Sequence, residues 1–208
     1  MQTQTSVNEI TPDKELFIKM VLDAWGSHNA RFNKLFDELP DEQLLSEVSP
    51  GKNSGIYLAG HLVAINDAML PILGFGEKLY PQLEEIFIAK PDKSGLELPS
   101  VNELKKYRDE INAKLIFHIG RLQAKEWFTR HAVVSKEDFA KEPHRNKLNI
   151  LINRTNHLSY HLGQLALLVE CSLIWALCAF RCIVCESICL GAKDQRVLTR
   201  SHLVHASR

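Results

Sequence analysis

Hydrophobic residues recur every three to four positions over most of the chain, which is the spacing of one face of an α-helix. The first such segment starts at Thr11-Pro12-Asp13 and the third at the capping box Ser100-Val101-Asn102-Glu103, both typical helix beginnings. No segment shows the alternation of a β-strand. We therefore predict an all-α fold, a four-helix bundle. Its helices are expected at about residues 12–38, 55–73, 101–124 and 144–169.

Two of the connections are longer than a minimal turn. Residues 77–98 contain Pro81, Pro91 and Gly95, and we expect an irregular segment with at most one short helical turn. Residues 125–143 are ambiguous, and two alternatives stay open for Phe128–Val134, an extended segment or a loop. Connections of this length allow crossovers as well as an up-down-up-down order.

The composition fits one globular domain and excludes several classes of protein. The chain has 208 residues, of which 45% are hydrophobic, so it can bury a sizeable core. Its 25 basic and 25 acidic residues give zero net charge, which excludes a strongly basic nucleic-acid binder. Residues 1–6 are polar with no hydrophobic signal segment, and no cysteine precedes Cys171. We therefore expect a cytoplasmic protein without a disulfide framework and without a nucleic-acid partner.

Residues 171–208 differ in composition from residues 1–170. They contain all five cysteines and an excess of basic residues, whereas residues 1–170 have an excess of acidic ones. We therefore predict a bundle domain at 1–170 and an atypical Cys-rich C-terminal extension at 171–208, helical at first and then disordered. A divergent or frame-shifted end is the alternative interpretation of the extension.

The extension also has features of a metal cluster and of a membrane anchor. Cys178, Cys182 and Cys185 have the spacing of the radical-SAM iron–sulfur motif. That motif belongs to an α/β barrel, and nothing in the sequence predicts such a barrel. Residues 162–180 are long and apolar enough for a membrane span. Because this span would begin inside the histidine motif described next, membrane recruitment is the less favoured alternative.

Three histidines are the strongest candidates for chemistry. His157 and His161 are four residues apart on the predicted fourth helix, so both imidazoles lie on one face and can share a cation. Histidine pairs of this kind are also common on helix surfaces without a metal. His61 lies among apolar residues of the predicted second helix, where an imidazole must be hydrogen-bonded or bind something. Together the three suit a divalent metal ion, and three protein ligands with an open position are typical of catalytic sites.

Other polar residues are weaker candidates. Gln164 follows His161 on the same helix face and is a candidate hydrogen-bond partner of the metal ligands. His28, on the predicted first helix, is expected at the surface or in the core instead of in the site. We expect the remaining histidines to face solvent: His118, His131, His144, His202 and His205.

The sequence resembles the DinB/YfiT-like superfamily in two motifs. These are Gly60-His61-Leu62 on the predicted second helix and the run Asn156-His157-Leu158-Ser159-Tyr160-His161-Leu162-Gly163-Gln164 on the fourth. The resemblance covers about residues 12–170 and includes the turn Leu39-Pro40-Asp41-Glu42-Gln43-Leu44. It implies a four-helix bundle whose metal ligands are His61, His157 and His161.

The resemblance also implies an activity. Members of this superfamily include thiol S-transferases that use bacillithiol, mycothiol or glutathione, and a maleylpyruvate isomerase. We therefore expect a metal-dependent thiol S-transferase or a related detoxification enzyme, with a divalent ion (Zn, Ni, Fe or Mn), a small-molecule thiol and an electrophile. A thiol must come from a cosubstrate, because the bundle contains no cysteine. The alternative is a non-catalytic metal-binding or stress-response protein, and apolar bundle faces favour a homodimer in either case.

Overall fold

The structure is a computed structural model that describes residues 11–169. These residues form helices and connections, with two isolated β-bridges and no strand among them. The predicted all-α fold is therefore confirmed for this part of the chain, and the predicted Cys-rich extension lies outside it. The helices are α1 (Pro12–Glu38), α2 (Asp41–Leu44), α3 (Gly55–Leu73), α4 (Val101–Ile119), α5 (Lys136–Lys141) and α6 (147–169).

Side chains at the helix ends explain where α3 and α4 begin and end. The Ser54 hydroxyl accepts a hydrogen bond from the backbone N–H of Tyr57 at 3.3 Å, which caps α3. Gly74 ends α3 in the left-handed conformation, with φ of 79°, where a residue with a Cβ would be strained. Ser100 and Glu103 form the predicted reciprocal capping box at the start of α4.

α3 is the central helix of the bundle. Most of its residues are buried, and it packs against α2, α4 and the single π-helical turn Glu85–Ala89. A Cβ placed on Gly55 would lie 2.6 Å from Leu168 Cδ1, so the start of α3 meets the end of α6 and the two helices run antiparallel. α3 is long and apolar enough to cross a membrane, but 72% of that stretch is buried, as expected of a core helix.

A buried polar network joins three of the long helices. The Asn66 side chain on α3 donates to Asn29 Oδ1 on α1 at 3.2 Å and to Asn112 Oδ1 on α4 at 3.3 Å. Asn112 in turn donates to Asn33 Oδ1 at 3.4 Å. Buried amides are costly unless they are hydrogen-bonded, so this network favours one alignment of α1, α3 and α4.

Two of the predicted helix boundaries are wrong. α4 ends at Ile119 and not near 124, because Gly120 caps it and a separate 3₁₀ turn, Ala124–Phe128, follows. α6 begins at 147 and not near 144, where the Asn146 side chain accepts a hydrogen bond from the backbone N–H of Asn149 at 3.0 Å. After the 3₁₀ turn, residues 129–134 form a loop, which was one of the two alternatives for Phe128–Val134, and α5 follows as a helix that was not predicted.

Candidate metal centre

Two antiparallel helices bring the three predicted histidines together. His61 lies on α3, and His157 and His161 lie on successive turns of α6. The Nε2 atom of His157 is 3.2 Å from Nε2 of His61 and 3.1 Å from Nε2 of His161. All three residues are part-buried, and one ligand atom from each falls within 4.8 Å of the other two. Among the described residues, these three histidines form the group that could hold a metal ion.

Hydrogen bonds orient two of the three rings. His61 Nδ1 lies 2.6 Å from the Phe87 carbonyl, and His161 Nδ1 lies 2.7 Å from Gln164 Oε1. Because both oxygens are acceptors, each Nδ1 must carry the proton and donate it. In the neutral ring the lone pair is then on Nε2, the atom that points toward His157.

The carbonyl that orients His61 comes from the π-helical turn Glu85–Ala89. This turn can approach α3 closely because the residue facing it, Gly60, has no side chain. A Cβ on Gly60 would lie only 2.3 Å from Cε1 of the Phe87 ring. Phe87 is fully buried in this position. The Tyr57 hydroxyl donates to the Lys90 carbonyl at 2.6 Å and so fixes the end of the same turn. Gly60 therefore permits the close packing that places the Phe87 carbonyl beside His61.

The arrangement fits a divalent metal ion. Zinc–nitrogen bonds of about 2.0–2.1 Å at tetrahedral angles separate the ligand nitrogens by about 3.3 Å, close to the observed 3.1 and 3.2 Å. The Nε2 lone pairs of His61 and His161 both face Nε2 of His157. A single N–H on that atom can donate a good hydrogen bond to only one of them. A cation among the three nitrogens satisfies all three lone pairs, and imidazole is a ligand for zinc, nickel, iron and manganese.

Electrostatics keep the three imidazoles in the form that binds metal. Burial is the largest cause that lowers the pKa of each. For His157, burial together with the charges of His161, His61 and Arg154 lowers the pKa to about 4. The hydrogen bonds to Phe87 and Gln164 act in the opposite direction on His61 and His161, but burial prevails. All three rings are therefore neutral at pH 7.

Gln164 is hydrogen-bonded to His161, one of the three candidate metal ligands. Its Oε1 accepts from His161, and its Nε2 donates to the Tyr160 hydroxyl at 3.4 Å. This bond fixes the tautomer and the orientation of the His161 ring, as partners of metal-binding histidines commonly do. Tyr160 is 65% exposed, so Gln164 connects His161 to a side chain at the surface.

The other histidines with described positions do not join the group. His28 makes a hydrogen bond from Nδ1 to the Ala24 carbonyl at 2.8 Å within α1, as expected for a histidine outside the site. The expectation that the rest face solvent is wrong for His131, which is 7% exposed and accepts the Val133 N–H. It is also wrong for His118, which is part-buried and stacks on Phe75 with ring centroids 5.0 Å apart.

Two residues of the site were not singled out from the sequence. A backbone carbonyl such as that of Phe87 leaves no side-chain signature, and its only sequence trace is Gly60 before His61. Arg154 lies one helical turn before His157, so its position at i−3 on the same face was available as a signal.

The fold and the site define a class of protein, a helical bundle with a three-histidine centre that could hold a divalent metal ion. The sequence matches the DinB superfamily over residues 24–165, and the chain belongs to this superfamily. The predicted membership is therefore confirmed.

Solved structures with a similar fold include two bacterial proteins. A DinB-like protein from Bacillus cereus ATCC 10987 has 20% sequence identity and a TM-score of 0.53, covering 73% of this chain and 90% of that one. A conserved protein from Enterococcus faecalis has 14% identity and a TM-score of 0.51, covering 73% and 96%. At these identities the similarity concerns the fold alone. Comparison with curated proteins gives no match.

Proposed function

We propose that this protein is a metal-dependent enzyme that transfers a small-molecule thiol to an electrophile. The observation that carries the proposal is the convergence of three neutral imidazoles through Nε2, with no fourth protein ligand among the described residues. Closed structural sites use four protein ligands, whereas three leave a position for a reactant. His61, His157 and His161 would hold the ion.

The chemistry divides between the ion and the protein. A bound divalent ion would supply Lewis acidity, which lowers the pKa of a thiol from about 8.5 and so favours the thiolate at neutral pH. The protein keeps two of the imidazoles, His61 and His161, deprotonated at Nε2 through the Phe87 carbonyl and Gln164. It also supplies no thiol of its own in the bundle, so the thiol is a cosubstrate.

A second candidate is a metal-binding protein without turnover. His61 lies 96 positions from His157, so an ion shared by both would cross-link α3 to α6 and stabilise the bundle. This alternative predicts metal-dependent stability without metal-dependent chemistry. The cytoplasmic location, the homodimer and the division at residue 170 stay predictions from the sequence.

One experiment separates the two candidates. The full chain is stripped with a chelator and reloaded separately with zinc, nickel, iron(II) or manganese, and the loss of free thiol with 1-chloro-2,4-dinitrobenzene is followed. The transferase proposal predicts thiol consumption that returns with metal and is absent in His61→Ala. His28→Ala is the matched control, since it removes a part-buried imidazole outside the triad. Reloaded protein that gains thermal stability but consumes none of a panel of thiols would favour the second candidate.

A further inference from the structure

Arg154 is the basic residue nearest to the three histidines along α6. It precedes His157 by three residues and His161 by seven, so all three side chains start from one face of the helix. It is part-buried, and burial lowers the pKa of its guanidinium. Its positive charge also lowers the pKa of His61 and His157. The guanidinium therefore acts electrostatically on the triad, and along α6 Arg154 precedes the two histidines whereas Gln164 follows them.

The other buried and part-buried arginines of the described chain all have oxygen atoms as partners. Arg108 is 5% exposed and forms salt bridges of 2.8 Å with both Asp37 and Asp109. Arg130 donates to the Val134 carbonyl. Arg145 also has a partner, a carboxylate one turn away. Buried arginine groups are thus compensated by oxygen atoms of the chain, as expected for charges removed from water.

Arg154 differs from all of these. Within residues 11–169 its guanidinium makes no hydrogen bond and no salt bridge, although water reaches only part of it. No carboxylate of residues 11–169 contributes to the pKa of a triad histidine, and the metal-binding group found among them contains none. With three neutral ligands a divalent ion would keep its full charge, and Arg154 adds one more positive charge beside it.

We propose that Arg154 forms an anion subsite beside the triad, where it binds a carboxylate of the molecule that occupies the open position of the site. The substrate class is then a small thiol that carries a carboxylate close to its sulfur. A guanidinium is well suited to this role, because it presents parallel N–H donors that match the two oxygens of a carboxylate. The thiol part of this inference rests on the proposed transferase function, whereas the carboxylate part does not.

The test compares two thiols that differ only in charge, 3-mercaptopropionate and 3-mercaptopropionamide. The full chain is loaded with Co²⁺, because zinc has no visible spectrum, and thiol binding is followed by the thiolate-to-cobalt absorption band. We expect the carboxylate thiol to bind about 10- to 100-fold more tightly than the amide, the loss typical of one charge-assisted contact. Arg154→Gln should remove this preference without removing the metal. Arg154→Lys, which retains the charge but not the parallel N–H donors, should keep part of the preference for the carboxylate thiol.

The matched control is Arg31→Gln, which removes the same charge from an exposed position on α1. Equal binding of the two thiols by the wild type overturns the proposal, and this comparison needs no variant to fold. An undiminished preference in Arg154→Gln overturns it as well.

A third arm separates this inference from the proposed function. Propionate, which has a carboxylate but no thiol, is titrated by calorimetry into the cobalt-loaded wild type and Arg154→Gln. Absence of an absorption band with either thiol, together with propionate binding that depends on Arg154, would refute the thiol function and support the subsite. Absence of both signals overturns the subsite too.

Discussion

The packing of Gly60 against Phe87 predicts that a single methyl group will weaken the metal centre. In Gly60→Ala the new Cβ would lie 2.3, 2.4 and 2.8 Å from three atoms of the Phe87 ring. Because Phe87 is fully buried, its ring cannot rotate into open space. The turn that carries the ring must then shift, and with it the carbonyl that accepts the His61 Nδ1–H bond.

Gly60→Ala should have two effects, a loss of stability and a loss of metal affinity. Overpacking a core costs about 1–3 kcal/mol, and replacing glycine by alanine within a helix returns about 0.5–1 kcal/mol. Gly60→Ala should therefore lower the free energy of unfolding by roughly 0.5–2 kcal/mol. Loss of the bond that orients a ligand should lower metal affinity by about 10- to 100-fold.

Chemical denaturation of the metal-free protein measures the first effect, and competition with a chromophoric chelator measures the second. Gly163→Ala is the control, since apart from the nearby backbone of its own helix no described atom outside its chain neighbours lies within 4 Å of the added Cβ. That variant should keep its metal affinity and gain up to about 1 kcal/mol of stability. Gly60→Ala/Phe87→Leu, which removes the crowded ring, should recover part of the lost affinity. Wild-type affinity in Gly60→Ala, or an equal loss in Gly163→Ala, would refute this reasoning.

Three further predictions concern the ligands and their protonation. His61→Ala should bind no metal yet keep its helical circular dichroism, because core leucines supply most of the packing; full metal content would exclude a triad. Gln164→Leu should weaken metal affinity by about 10- to 100-fold without unfolding, and an unchanged affinity would leave the His161 bond without a role. In the metal-free protein, burial keeps the triad neutral while the unfolded chain takes up protons below the ordinary histidine pKa of 6.5. Stability in denaturant should therefore fall as the pH drops from 6.5 toward 4, and a stability maximum near pH 5 would contradict this.

Helix positions could be predicted from the sequence because the hydrophobic period is long and strong. The bounds of α1 and α3 agree with that period, whereas α4 and α6 differ by several residues at one end. After α4 the N–H groups of Arg121 and Leu122 bond to carbonyls three residues back, and before α6 the Asn146 side chain caps the helix. These local hydrogen bonds compete with continuation of the helix and do not alter the period. The hydrophobic period indicates which face of a helix is buried, but it does not indicate at which residue the helix ends.

The candidate ligands were predictable for a different reason. Histidine on an apolar helix face is chemically conspicuous, so His61, His157 and His161 could be selected before their proximity was known. The groups around them were not equally visible. The Phe87 carbonyl is a backbone atom, and Arg154 becomes notable only when no partner is found within residues 11–169. Sequence reveals residue types, whereas the absence of a partner is a property of the fold.

The three ligands are oriented by unequal means, and this inequality locates the adaptable part of the site. His61 is held by a backbone carbonyl in the core and His161 by a side-chain amide near the surface. The Nδ1 atom of His157 is buried without a hydrogen-bond partner in the described part of the chain, and its ring has the most strongly lowered pKa, about 4. His157 is thus positioned by helix packing and by its neighbours' lone pairs alone. A bound ion would gain two ligands that are already oriented at Nε2. The third, His157, would bind through Nε2 with its proton on Nδ1, which has no competing partner among the described residues.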